Sequence, residues 1–386
     1  MANPSSHARP SGLRRLRSNL ARSWRRAGAK GRIAVSLGVV LVLALVTTGV
    51  TLLATSSSRK AAGGTTTTGS STTTSTRPKV VLNSKICPLT GTPAPKGRVP
   101  RRPALGVKIG NDPSSRPQTG LPDADIVYEE MAEGGITRYL AIFQCHAPPV
   151  IGPVRSVRWD DWHILQSYGH PMLAFSGGIQ PWDDEVASLP WLFDASGSEG
   201  PTVSAYYRTT NRVPPWNYYT SGAGLWALDS NHTPPPQQFS YSKQPPAGAK
   251  PAVGITIEYF ASGSTVQWRW SASAHAWMRS VGGEPDVDVS GSQLQATNVI
   301  VETVATEPGP YNESGPDSPD VESITEGSGK AWVLTDGKAE VGTWNCPAYG
   351  DLTQYRFDNG QTMTLQPGNT WVELVPNENY PVSLQR

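Results

Sequence analysis

Residues 33–54 form an apolar run without a single charged side chain, and residues 55–79 that follow are nearly all Thr, Ser, Gly and Ala with a few bases. A helix crosses a bilayer core in about 20 residues at 1.5 Å each, so the run predicts one transmembrane helix. A cleaved signal peptide is the alternative, but its apolar stretch is usually shorter and ends in a small-residue cleavage site. The Thr/Ser-rich stretch cannot bury enough apolar surface to fold and reads as a disordered tether.

From residue 80 the pattern changes. Ile126, Val127 and Tyr128 read as one strand and residues 136–143 as a second, with Gly134-Gly135 between them as a two-residue hairpin turn. Ser156 is placed to cap a helix with Asp160 and Asp161 in its first turn and an end near Gly169. Residues 171–175 read as a buried strand and 182–189 as a short helix. Residues 80–230 therefore predict an α+β (mixed α/β) N-terminal domain. Residues 231–251, with six prolines, predict a semi-rigid connector.

Beyond the connector, β-branched and aromatic runs at 253–260, 266–270, 296–303, 331–335, 361–365 and 371–374 predict a smaller all-β C-terminal domain, residues 252–386. Within it, residues 306–328 hold six acids, no base and four prolines, and read as a solvated loop. Those acids lack the order of an EF-hand loop.

Charge gives the apolar run a direction. Residues 1–32 carry nine Lys or Arg and no acid, against only Arg59 and Lys60 just beyond the run. The positive-inside rule then predicts a cell-membrane protein with its basic tail, 1–32, in the cytoplasm and its folded part extracytoplasmic. Without that tail, 24 of the 33 basic residues remain against 31 acids, a balance that disfavours nucleic acid as a partner. No cysteine follows the apolar run to accept a lipid. Cys87, Cys145 and Cys346 all lie on the exported side, where disulfides persist. Three thiols allow one pair and one remainder; the first region favours Cys87 with Cys145, and pairing of either with Cys346 stays open. The spacing suggests neither a metal site nor a cofactor.

Candidate chemistry concentrates in the first region. With a two-residue turn, Glu133 faces Ile136, Met131 faces Arg138 and Glu129 faces Leu140, all on one face of the hairpin. Arg138 then lies between two carboxylates, either as an anion-holding site or as a structural ion-pair cluster. Arg155 and Arg158 flank the predicted helix start, where free N–H groups favour anions, and Arg116 can join them. Ala174-Phe175-Ser176-Gly177-Gly178 matches a variant nucleophile elbow, with a tight Gly-rich turn as the plain reading and no well-placed histidine to follow. Trp159, Trp162, Trp182 and Trp216 suit sugar stacking or a core.

The stretches Arg101-Arg102-Pro103-Ala104-Leu105-Gly106-Val107-Lys108-Ile109, Ser115-Arg116-Pro117-Gln118-Thr119-Gly120-Leu121 and Ala124-Asp125-Ile126-Val127-Tyr128-Glu129 occur in order. They are followed by Glu133-Gly134-Gly135-Ile136-Thr137-Arg138 and Ile151-Gly152-Pro153-Val154-Arg155-Ser156-Val157-Arg158. Together these resemble the YerB-like family of bacterial lipoproteins. Gly327-Ser328-Gly329, Asp336-Gly337 and Pro367-Gly368-Asn369-Thr370-Trp371 resemble its C-terminal domain. The resemblance implies a two-domain envelope protein without an established biochemical function. Trp216-Asn217 departs from it where His-Asn is expected, which removes any chemistry that histidine would carry.

These readings combine into an expected ligand site of Arg116, Glu129, Glu133, Arg138, Arg155, Arg158 and Asn217, open to an anionic small molecule or a cell-wall glycan. A wall- or glycan-active hydrolase and an assembly factor that binds another envelope protein are the alternatives.

Overall fold

The computed structural model describes residues 85–244, 248–259, 264–312, 319–377 and 380–386. The basic tail, the apolar run 33–54 and the tether lie outside the described residues. No helix among those described is long and apolar enough to cross a membrane.

The first region supplies strands β1 (Leu105–Gly110), β2 (Ile126–Met131), β3 (Thr137–Phe143), β4 (Met172–Ala174), β5 (Phe193–Asp194), β6 (Tyr206–Arg208) and β7 (Tyr218–Thr220). The connector ends in β8 (Lys250–Pro251). Then follow β9 (Gly254–Tyr259), β10 (Ser264–Ser271), β11 (Ala276–Val281), β12 (Glu284–Pro285), β13 (Gln295–Ala296) and β14 (Asn298–Asn312). The chain closes with β15 (Pro319–Ile324), β16 (Gly327–Thr335), β17 (Lys338–Cys346), β18 (Gln354–Arg356), β19 (Thr370–Pro376) and β20 (Val382–Gln385). Helices α1 (Trp159–Leu165), α2 (Gln180–Ser188) and α3 (Gly222–Trp226) are short.

The fold is thus mostly β with few helices, and the three short α-helices among the described residues lie in the first region beside seven strands, so helix contributes less there than the α+β expectation implied. One cause is visible after Pro153. The N–H of Arg155 donates to Lys108 and that of Val157 to Gly177, while Arg155 accepts from Ser176. These sheet-like bonds keep the chain extended past Ser156, so α1 starts only at Trp159. Its N-cap is Arg158, whose N–H donates to the Asp161 carboxylate at 2.7 Å.

The main sheet runs β18-β17-β16-β14-β19-β2-β3-β1-β4-β5, with β15 on β14 and β8 on β17. It draws strands from both regions delimited in the sequence, because β19 pairs in parallel with β14 on one side and β2 on the other. Strands β9 to β13 and β20 form a second sheet, and β6 and β7 a two-stranded ribbon. Residues 306–328, expected as a loop, instead contribute the end of β14 and all of β15 as an antiparallel pair.

Side-chain alternation sorts the core into two layers. Val127, Met131, Tyr139, Val299, Val301 and Trp371 face one way and pack against Ile255, Ile257, Trp268 and Trp277 of the second sheet. Ile126, Leu140, Ile142, Ile300, Val372 and Leu374 face the other and meet Trp159, Trp162 and Leu165 of α1 and Trp182 of α2. Trp159, Trp162 and Trp182 are therefore core residues, a role their large apolar area suits better than surface stacking. Cys87 and Cys145 form the disulfide, and Cys346 is a buried free thiol.

Candidate anion-binding site

The β2–β3 hairpin sets the site, and its register differs from the two-residue expectation. Ala132 N–H donates to the Ile136 carbonyl across a turn in which Gly134 and Gly135 both take positive φ, 68° and 72°. Met131 consequently pairs with Thr137, Glu130 with Arg138 and Glu129 with Tyr139. A one-residue slip moves side chains to the opposite face. Arg138 therefore shares a face with Glu130, and Glu129 points into the other layer.

Glu133, in the turn, accepts from three guanidinium nitrogens of two arginines. Arg158 approaches side-on, with Nε 2.9 Å from Oε2 and Nη2 2.8 Å from Oε1, and Arg138 Nη2 lies 2.9 Å from Oε1. All three residues are buried. Burial alone would raise the Glu133 carboxyl, but Arg138 and Arg158 together hold it below the usual value. Next to them Lys108 is enclosed and pairs with Asp161 at 2.9 Å and with Glu130. Burial pulls its ammonium down to about 8 against the pull of Asp161.

Glu129 anchors a separate cluster between the sheets. Its Oε1 accepts from Thr137 Oγ1 at 2.6 Å and Asn111 Nδ2 at 3.0 Å, and its Oε2 from Arg279 Nη2 at 2.5 Å. Arg279 also pairs with Asp286 and lies 5.2 Å from the ring centroid of Trp371. Glu373, held by Trp268 Nε1 at 2.8 Å, is raised well above the carboxylate range by burial and by neighbouring Glu129. Glu373 is therefore held towards its neutral form beside the Arg279-paired Glu129. The cluster ties β2 to β11 and β19.

Arg116 and Arg155 sit differently, at the end of β1 and partly exposed. Arg116 Nε donates to Asn111 Oδ1 at 3.0 Å, and Gln118 Nε2 reaches the same oxygen at 3.2 Å and Gly110 O at 3.0 Å. Arg155 runs past Gly110 so closely that a Cβ there would stand 2.7 Å from its Cγ. Its Nε is buried with no hydrogen-bond partner among the described residues. Burial lowers its guanidinium pKa, with Asp112 opposing that shift and Arg158 adding to it.

The loop beneath is stapled from outside. Asp112 accepts from Ser114 N, Ser115 Oγ and Trp216 Nε1, the last at 2.7 Å. Arg212 donates to the carbonyls of Ser115 and Pro117 at 2.9 and 2.6 Å. Asn217 is buried and engaged elsewhere, accepting from Arg208 at 2.8 Å and donating to Thr209 O at 3.2 Å. Tyr218, next to it, accepts at its carbonyl from Val154 N–H, which brings Asn217 near the Arg155 backbone. Ser176 has no histidine hydrogen-bonded to its side chain among the described residues.

The family question is decided by two matches. Residues 89–234 match the N-terminal domain, and residues 255–372 the C-terminal domain, of the family described as "Protein of unknown function (DUF3048)". The chain belongs to the DUF3048 family. It is 28% identical over 304 residues to "Putative lipoprotein YerB" of Bacillus subtilis (strain 168), which covers 75% of this chain and 86% of that protein. The crystal structure of YerB from Bacillus subtilis superposes with a TM-score of 0.65 at 24% identity, covering 77% of this chain and 99% of that one. At that identity the likeness speaks for the fold.

Within this DUF3048 fold, several residues that shape the site escaped the sequence reading. Asn111, Lys108, Arg279 and Glu373 each act across long sequence separations. Only Arg279 left a local signal: it stands in phase with Trp277 and Val281 on β11, so its side chain falls on the buried face.

Proposed function

We propose that this DUF3048 protein is a membrane-anchored envelope protein that binds an anionic ligand at the end of β1. Arg116 and Arg155 make the contacts, a phosphate or carboxylate being the group they suit. Glu133, Arg138 and Arg158 are the frame behind them, and Glu129 fastens that frame to the C-terminal region. Asn217 holds the adjoining ribbon. The observation that carries this reading is Arg155: a guanidinium partly withdrawn from water, with a buried Nε that lacks a hydrogen-bond partner among the described residues. Behind it, Arg138 and Arg158 share the Glu133 carboxylate and form a rigid buried frame. The envelope location draws on the charge asymmetry around residues 33–54 and on a relative named as a lipoprotein.

The test is calorimetric titration of the full chain with inorganic phosphate, with phosphorylated wall-glycan fragments and with uncharged ones. Arg155→Ala and Arg116→Ala should keep the wild-type melting temperature within a few degrees and lose binding at least tenfold. Phosphate alone binding points to a free small anion, and only the phosphorylated fragments binding points to a glycan-borne one. Absence of binding to either, or equal binding of the uncharged fragments, removes the proposal.

A further inference from the structure

The layer of the sheet that carries α1 also contains a narrow cavity of about 30 Å³ between β14, α1 and the segment after β17. That is room for two or three water-sized groups. Its walls include Glu302, Asp351, Gln238 and the rings of Tyr128, Phe239 and Tyr349, and no lysine or arginine among the described residues. A wider cleft of about 380 Å³ adjoins it, sharing Gln238, Phe239 and Thr353 and adding Gln237, Gln354, Thr362 and Arg356, whose guanidinium is engaged by Gly360 O and the Gln354 side chain.

Glu302 is 4% exposed. Tyr355 OH donates to its Oε1 at 2.5 Å, and its Oε2 has no hydrogen-bond partner among the described residues. Of the other buried carboxylates discussed above, Glu133 and Glu129 are paired with arginines, Asp161 is paired with Lys108, and Glu373 lies within the field of Arg279. Glu302 alone among them faces a cavity with no cationic neighbour. A buried carboxylate in that position takes either a proton or a cation.

We propose that this cavity binds a primary ammonium group, with Glu302 as its counter-ion, while the rest of the amine-bearing ligand lies in the wider cleft. The size admits an ammonium and its last methylene and little more. The aromatic walls suit a cation that has shed most of its water. Carboxylates outside agree in sign, because Tyr349 lies within the field of Glu326, Asp160 and Glu322, and Cys346 within that of Asp351 and Glu326. Amide and hydroxyl groups of the outer cleft suit a peptide or amino-sugar backbone.

Burial holds the empty site's Glu302 carboxyl at about 7, with the Tyr355 hydrogen bond opposing that rise. Entry of the ammonium therefore releases this proton to solvent. The titratable groups facing it are Tyr355, Tyr128, Tyr349, Cys346, Asp351 and His163, whose Nδ1 is tied to the Trp159 carbonyl at 2.7 Å. Burial raises Tyr128 and Cys346 away from neutrality, and the same pH series on folded Glu302→Gln separates the Glu302 response from that of His163.

The full chain is titrated by calorimetry with Nα-acetyl-lysine amide, with glucosamine, and with Nα,Nε-diacetyl-lysine amide. Wild type should bind at least one amine and bind the diacetyl probe at least tenfold more weakly. Affinity should rise about tenfold between pH 6 and 8 as Glu302 loses its proton, and folded Glu302→Gln should lose at least tenfold. Stronger binding of the lysine amide points to a peptide source, and of glucosamine to a sugar one. The comparison of probes uses wild type alone, so a Glu302→Gln chain that misfolds leaves it decisive. Equal binding of the diacetyl probe, no amine binding, or folded Glu302→Gln with unchanged affinity overturns the proposal.

Discussion

Glu133→Gln probes the frame directly. The carboxylate accepts from both Arg138 and Arg158, whose side chains are 5% and 2% exposed. Removing one partner of a buried ion pair costs about 3–5 kcal/mol, because the remaining charge stays buried without compensation. Two cations depend on Glu133, which argues for the upper end. Against that, Arg158 also donates to Val157 O at 2.7 Å and Arg138 reaches Ser156 O at 3.5 Å, and an amide still accepts one hydrogen bond. The lower end, about 3 kcal/mol, is therefore expected. Urea denaturation at pH 7 measures it. The pH dependence adds an independent check. Because Glu133 is depressed in the folded chain, its contribution is present above the ordinary carboxylate pKa and is lost as pH falls through the lower folded value. Wild type and Glu133→Gln should thus converge in stability in acid. A loss under 1 kcal/mol at pH 7, or no convergence, would refute the ion-pair account.

Three further substitutions test the other buried carboxyls. Glu129→Gln strips the charge that faces Arg279 and should cost about 3 kcal/mol, whereas Glu373→Gln replaces a group already raised towards its neutral form and should cost under about 1 kcal/mol in the same assay. Glu302 has the opposite sign to Glu133: its folded pKa of about 7 exceeds the ordinary 4.5, so stability should fall as pH rises between those values by roughly 3 kcal/mol. Glu302→Gln should flatten that slope in melts taken from pH 4 to 8, and an unchanged slope would place its origin elsewhere.

What the sequence could reveal was whatever short-range pattern encodes. The alternation of residues 126–143 identified both strands of the hairpin, and the grouping of Cys87 with Cys145 favoured the disulfide that forms while leaving Cys346 open as a partner. The register escaped because Gly134-Gly135 is a strong two-residue turn signal, yet the observed turn spans Ala132 to Ile136. That single residue separated Glu129 from Arg138. The loop reading of 306–328 failed for a related reason: its acids suggested solvation, but Asp320 and Ser323 are buried through contacts far along the chain, to Trp182 at 3.0 Å and Asp160 at 2.6 Å. Likewise, nothing local indicates that β19 inserts beside β2. Glu302 was hidden inside an apolar strand, where one acid reads as the exposed face until the sheet is covered.

The central claim is that Arg155 contacts the ligand while the buried arginines support it. Phosphate or phosphorylated glycan fragments titrated into wild type, Arg155→Ala and Arg155→Lys test it most directly. The account predicts that wild type binds, that Arg155→Ala melts within a few degrees of wild type yet binds at least tenfold more weakly, and that Arg155→Lys recovers part of the affinity. An Arg155→Ala chain that binds as wild type does, or that is destabilised as much as Glu133→Gln is expected to be, would contradict it and make Arg155 one more member of the frame.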